Sequence, residues 1–137
     1  MTADLDATVL LIDDSTTLRS LLKGALSALA LNLRVREAED GDEGIAAFRR
    51  QPADIVFLDV NMPGRNGIEV LKEIKRIDPR SFVIMLSSDA ASDWLDQARR
   101  AGVHGYVEKP FSAEKIGRVF ETYRRYAAGR KTAPATC

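Results

Sequence analysis

Two periodicities alternate along the chain. TVLLI (8–12) is short, apolar and β-branched, and predicts a buried strand. Leu18, Leu21, Leu22, Ala25, Leu26 and Leu29 then recur at helical spacing, with Arg19 and Lys23 assigned to the opposite face. Gly24 interrupts that helix at a cost of about 1 kcal/mol against Ala, so a packing reason is expected for it. LRVREA (33–38) alternates more weakly and suits a sheet edge. Asp40 and Glu43 look like an N-cap and its capping-box acid, and the helix they open ends near Arg50, before Pro52. ADIVFLD (53–59) is the most hydrophobic strand and is placed at the centre. Met62 to Gly67 is loop chemistry, and Ile68, Leu71 and Ile74 mark one face of the next helix. FVIML (82–86) is a fourth strand, 92–101 a short helix carrying Trp94, Leu95, Ala98 and Ala101, and GYVE (105–108) a fifth strand. Ser112 is the expected N-cap of a last helix whose core face is Ile116, Val119, Phe120 and Tyr123.

Five strand–helix units predict an α/β domain with a parallel sheet and helices on both faces. The boundaries read as an extension over 1–6, one domain over 7–127 and a flexible tail over 128–137. In such a sheet all C-terminal strand ends lie on one edge, where open α/β folds bind ligands. VLLI runs into Asp13 and Asp14, DIVFL into Asp59, FVIML into Ser87 and GYVE into Lys109. Three carboxylates, a hydroxyl and an ammonium therefore converge. That set can hold a divalent cation and a phosphoryl group together.

Composition narrows the classes. The 137 residues suffice for one ordinary domain, with 45% hydrophobic and 29% charged residues. Twenty basic residues balance twenty acidic ones, so no net field draws the chain to nucleic acid or an anionic membrane. A single cysteine, Cys137, allows no internal disulfide. No run has membrane-spanning length and the N-terminus does not resemble a signal peptide, so a cytoplasmic protein is expected.

Each candidate has a plainer reading. Asp13 and Asp14 either ligate a cation or cap the first helix, where its dipole favours acids. Asp59 has no helix start after it, and a carboxylate there can act as a nucleophile toward phosphorus. Mg²⁺ takes oxygen ligands and commonly binds one or two carboxylates plus a phosphate. Lys109 either offsets phosphoryl charge or is a solvated lysine. Ser87 either donates to a phosphoryl oxygen or starts a loop. His104 lacks partners for a metal site or a triad, and Arg124, Arg125, Arg130 and Lys131 read as a solvated helix end.

Taken together, the acid pair Asp13-Asp14, Asp59 followed by Met62-Pro63 and Gly67, then Ser87, Tyr106 and Lys109-Pro110-Phe111 resemble the receiver domain of bacterial two-component response regulators. The resemblance spans roughly 7–127. It implies the (βα)5, flavodoxin-like fold with strand order 2-1-3-4-5. It implies that Asp59 accepts a phosphoryl group from a histidine kinase or histidine phosphotransfer protein. Asp14 would bind Mg²⁺ (or Mn²⁺), Asp13 would help directly or through water, and Asn61 would offer its backbone carbonyl. Lys109 would pair with the phosphoryl group, and Ser87 and Tyr106 would be the switch. Lys109-Pro110 would be a cis peptide. Such a protein is not an enzyme in the usual sense; it assists its own phosphorylation and hydrolysis. A downstream protein target would read the face of the fourth helix, fifth strand and fifth helix, with Trp94, Val103, Tyr106 and Arg118 as candidates. No nucleic acid or membrane contact is implied, and the chain would be a monomer or a phosphorylation-dependent dimer.

Departures sharpen the expectation. Ser88 stands where the family usually has a small apolar residue. Asn61 and Asp89 take positions that line the approach of hydrolytic water, which resembles the short-lived chemotaxis type and predicts fast loss of phosphate. Three jobs stay open: a chemotaxis-type effector, a relay intermediate, and the receiver part of a longer regulator. An aspartyl-nucleophile phosphatase would show Asp-x-Asp rather than adjacent acids. A flavin module would be repelled by Asp13-Asp14, and a phosphate-independent scaffold would not need the full set.

Overall fold

The computed structural model describes residues 6–29, 31–62, 64, 66–88, 94–109 and 111–132, with side chains up to Gly129. The chain alternates β1 (Asp6–Ile12), α1 (Thr16–Ser27), β2 (Asn32–Ala38), α2 (Gly41–Arg50), β3 (Ile55–Asp59), α3 (Gly67–Ile77), β4 (Phe82–Ser87), α4 (Trp94–Arg100), β5 (Gly105–Glu108) and α5 (Ala113–Thr132). The five strands form one parallel sheet in the order β2-β1-β3-β4-β5. β3 is central and β2 lies at an edge, as the hydrophobic pattern predicts.

Alternation along the strands splits the core into two layers. Leu10, Ile12, Val56, Leu58, Val83 and Met85 face α2, α3 and α4. Val9, Leu11, Ile55, Phe57, Ile84 and Leu86 face α1 and α5. The expected face of α5 is buried, from Ile116 to Tyr123, and Ser112 caps that helix by accepting the Lys115 N–H at 3.1 Å.

The helix α1 is turned differently from the expectation. Leu21 is 57% exposed, whereas Arg19 is 9% exposed. Residues 19, 22 and 26 share one face by the i, i+3, i+7 rule, and Leu22 and Leu26 are the buried leucines of that face. Gly24 has no packing reason either, since a Cβ there would meet nothing within 4 Å. Gly24→Ala is therefore expected to stabilise the fold by about 0.5–1 kcal/mol, read as a higher midpoint in urea at unchanged slope.

Other boundaries shift for local reasons. β1 begins at Asp6, which pairs with Asn32 in register and holds Arg34 at 2.8 Å, so residue 6 belongs to the sheet. α5 continues to Thr132, beyond the expected end at 127. Ala127, Ala128, Arg130 and Lys131 are good helix formers, and Gly129 lowers the propensity without ending the helix. Asp40 caps α2, but Glu43 accepts the N–H of Glu39 at 2.7 Å rather than that of the cap. The reciprocal capping box lies instead at Asn66 and Glu69, opening α3.

His104 accepts the Val83 N–H on Nδ1 at 3.2 Å and packs against the rings of Phe82 and Tyr126, at the end of the sheet remote from the acids. Arg124 and Arg125 are exposed, as expected. Pro63, Asp89, Pro110 and Cys137 lie outside the described residues, and with them the cis peptide and the second water-lining position. The side chains of Arg130 and Lys131 do too.

Candidate functional site: an acidic pocket at the carboxyl edge of the sheet

Parallel pairing brings the strand ends together, and main-chain bonds continue the ladder past them. Asp13 N–H donates to Ala38 O at 3.2 Å, Val60 N–H to Leu86 O at 3.0 Å and Lys109 N–H to Ser87 O at 2.8 Å. These bonds fix the residues immediately after β1, β3 and β5. One carboxylate oxygen from each of Asp13, Asp14 and Asp59 falls within a cluster no wider than 4.8 Å. Asp13 and Asp59 are buried, while Asp14 is exposed at the mouth.

Lys109 completes the pocket. Its Nζ lies 3.4 Å from Asp59 Oδ1 and 3.4 Å from Asp13 Oδ2. It hydrogen-bonds Asp59, but the contact with Asp13 is an ion pair without hydrogen-bond geometry. Three carboxylates against one ammonium leave the pocket net negative. Burial pushes the Asp59 carboxyl from 3.8 up to about 6, and the charge of Asp13 adds to this. Lys109 and the Asn61 N–H, which donates to Asp59 Oδ1 at 3.3 Å, pull it part of the way back.

The helix-cap reading of the acid pair is set aside. Ser15 caps α1, accepting the Leu18 N–H at 3.2 Å. Asp13 Oδ1 instead accepts the Ser15 N–H at 2.9 Å, and Oδ2 stays buried with no hydrogen bond. A buried carboxylate oxygen that has an ion pair but no hydrogen bond is costly unless something else satisfies it. A hard cation suits that oxygen and its neighbours, since the donors are all oxygen and their charge exceeds the local compensation.

Ser87 is 1% exposed at the end of β4, one strand over from Asp59. Tyr106 is 41% exposed, its ring edge-on to Trp94 with centroids 5.9 Å apart. The expected site residues on β1, β3 and β5 thus meet directly. Ser87 lies at the same sheet edge, Asn61 joins through its N–H, and Tyr106 points outward beside α4. Arg19, which donates to the Asp13 carbonyl oxygen at 2.6 Å, was not foreseen.

Residues 9–121 match the model of the response regulator receiver domain. The chain belongs to that family. Chemotaxis protein CheY-3 of Vibrio cholerae is 35% identical over 119 residues, covering 82% of this chain and 91% of that protein. Among solved structures, the chemotaxis protein CheY4 of Vibrio cholerae superposes with TM-score 0.78 at 26% identity, covering 87% of this chain and 99% of that one. NtrX from Brucella abortus gives TM-score 0.85 at 30% identity, covering 94% of this chain and 30% of that longer one. The receiver fold and a place in two-component signalling follow, with chemotaxis-like receivers matched over nearly their full length. Among the described residues no helix is long and apolar enough to cross a membrane.

Proposed function

We propose that Asp59 takes a phosphoryl group from the phosphohistidine of a histidine kinase or histidine phosphotransfer protein. The observation that carries this is the buried Asp59 carboxylate, held between Lys109 and the acids of β1 at the edge of a receiver sheet. A carboxylate oxygen attacks phosphorus, the P–N bond to the partner's imidazole breaks, and an acyl phosphate forms on Asp59. Asp13, Asp14 and Asp59, with the backbone carbonyl of Asn61, are the groups that would hold Mg²⁺ or Mn²⁺. Such an ion offsets charge on the phosphoryl oxygens. Lys109 moves from pairing two carboxylates to pairing the phosphoryl group, and Ser87 donates its hydroxyl. The chain promotes its own loading and hydrolysis and turns over no separate substrate.

The output is a protein-interaction face. Once the phosphoryl group engages Ser87, Tyr106 leaves its place against Trp94 and turns inward. Two packed arrangements are then biased by one covalent event. A groove of about 450 Å³ between β5 and α5, lined by Tyr106, Glu108, Lys115 and Arg118, lies beside that ring and suits a downstream protein segment. Trp94 meets the Tyr106 ring on its other side, and Val103 packs with the layer that contains Trp94.

The test is intact mass after incubation with acetyl phosphate. A gain of one phosphoryl group that requires Mg²⁺ is expected, with loss of the adduct well within hours because the exposed Asn61 leaves the site open to water. Beryllofluoride with Mg²⁺ should change Trp94 emission as the Tyr106 ring departs. A folded protein showing neither adduct nor emission change would be a phosphate-independent scaffold.

A further inference from the structure

The buried guanidinium of Arg19 has a place in this pocket that the roles above do not use. It sits on α1 beneath the β1–α1 loop. Its Nη1 donates to the backbone carbonyl of Asp13 at 2.6 Å, its Nε to Glu37 Oε1 at 2.8 Å, and its Nη2 to Thr16 Oγ1 at 3.4 Å. Glu37, on the edge strand β2, is held in turn by Lys23 at 2.7 Å on its other oxygen. The guanidinium charge is therefore matched by Glu37 rather than spent on the acids.

The atoms of Asp13 show what this achieves. Its N–H is bound to Ala38 O, its Oδ1 to the Ser15 N–H, and its carbonyl oxygen to Arg19. Oδ2 is the one polar atom of the residue with no hydrogen bond, and it is buried and turned toward the Lys109 ammonium. Three fixed bonds hold the residue in place and leave Oδ2 as its oxygen without a hydrogen-bond donor. The carbonyl bond also fixes the peptide joining Asp13 to Asp14, so it sets where the second carboxylate leaves the chain.

We propose that Arg19, held by Glu37, is a positioning residue for the divalent-cation site: it locks the Asp13–Asp14 peptide so that both carboxylates face the Asp59 pocket. The inference rests on the cation reading of the acidic pocket. It couples cation affinity to the edge strand β2, through Glu37. A point-charge ammonium does not span the same acceptors, so Lys at position 19 restores the link in part only.

The test titrates the full chain with Mn²⁺, in the absence of any phosphoryl donor, and follows the free-ion electron paramagnetic resonance signal. Arg19→Met should weaken Mn²⁺ binding by about tenfold, the lower end of what outer partners of metal ligands contribute. Arg19→Lys should fall between parent and Arg19→Met, and Glu37→Gln should show a smaller loss in the same direction. Leu22→Ala, a core truncation one turn along the same helix face, should lower the melting temperature yet leave Mn²⁺ affinity at the parent value. Parental affinity in folded Arg19→Met would overturn the proposal, whatever its melting temperature. If Arg19→Met does not fold, parental affinity in both Arg19→Lys and Glu37→Gln overturns it equally. A parent that binds no Mn²⁺ overturns the cation reading itself, which separates that failure from this one.

Discussion

Asp59→Asn is expected to take up no phosphoryl group and, without a divalent ion, to be more stable than the parent. The first half follows from chemistry: an amide is not a nucleophile toward phosphorus under these conditions, and no other carboxylate of the pocket is both buried and hydrogen-bonded to Lys109. The second half follows from linkage. The Asp59 carboxyl titrates at about 6 when folded, against an ordinary 3.8, because burial and the charge of Asp13 oppose its ionisation. Between those values the folded chain binds the extra proton, so stability falls as pH rises from about 4 through about 6. Above that window the ionised carboxylate destabilises the fold. Its upper bound, at about 1.4 kcal/mol per unit, is roughly 3 kcal/mol. That bound already contains the opposing attraction of Lys109; burying an amide in place of a protonated carboxyl takes back part of the gain, so an increase of ~1–2 kcal/mol in the variant is expected at pH 7.5 in EDTA. Chemical denaturation across pH checks it: the difference should close below about pH 4, where the parent carboxyl is neutral in both states. Added Mg²⁺ should raise the stability of the parent more than that of the variant, by mass action. Equal stability at pH 7.5 would mean that the pocket does not strain against the charge of Asp59.

Such strain explains why so much of the site could be read before its geometry was known. A run such as DIVFL that ends in Asp59 has no local use for the acid; the placement makes sense only if other strand ends meet it. The parallel sheet guarantees that meeting, because its strands share a direction, and the register does bring Asp13, Asp59, Ser87 and Lys109 to one edge. What escaped the sequence is where hydrophobicity and angular position disagree. Leu21 looks like core and Arg19 like surface, yet 100° per residue puts Arg19 with Leu22 and Leu26. A guanidinium is tolerated there because Glu37 and the Asp13 carbonyl satisfy it; Asp13 lies in the loop just before α1, but Glu37 comes from β2, eighteen residues further along the chain, and only the fold brings it to α1. The one available signal was an acid, Glu37, inside an edge strand whose neighbours Arg34 and Arg36 are basic. The capping box at Asn66 and Glu69 had a visible signal, the Asn-x-x-Glu spacing, hidden among the loop-forming residues before it. The two competing uses of the acid pair could not be separated from sequence, because Ser15 follows them and any of the three can cap a helix. Only the bond from Leu18 N–H to Ser15 decides it.

Gly67→Ala is expected to damage both stability and phosphoryl uptake, and the two losses should have one cause. Gly67 opens α3 directly against the peptide that follows Asp59, donating its N–H to Val60 O at 3.0 Å. A Cβ at this position would lie 2.4 Å from the Asp59 carbonyl oxygen, 2.9 Å from Val60 Cα and 3.0 Å from Val60 O. All three are backbone atoms of the segment between β3 and the loop, so no side-chain rotation relieves the clash. The backbone must move, at about 1–3 kcal/mol or more. The same displacement carries Asp59 off its alignment with Lys109 and the β1 acids, where small misplacements cost rate steeply. Gly44→Ala supplies the contrast. Its Cβ would meet Ile12 at 2.6–3.0 Å, but every atom met is side chain. That variant should also lose stability, since Ile12 is fully buried, while keeping uptake near the parent rate. Thermal melting and intact mass after acetyl phosphate, measured on both variants, separate the effects. Parental uptake in Gly67→Ala would show that the start of α3 packs on the loop after Asp59 without constraining it, and the position of Asp59 would then rest on the β3 ladder, the Asn61 N–H and Lys109.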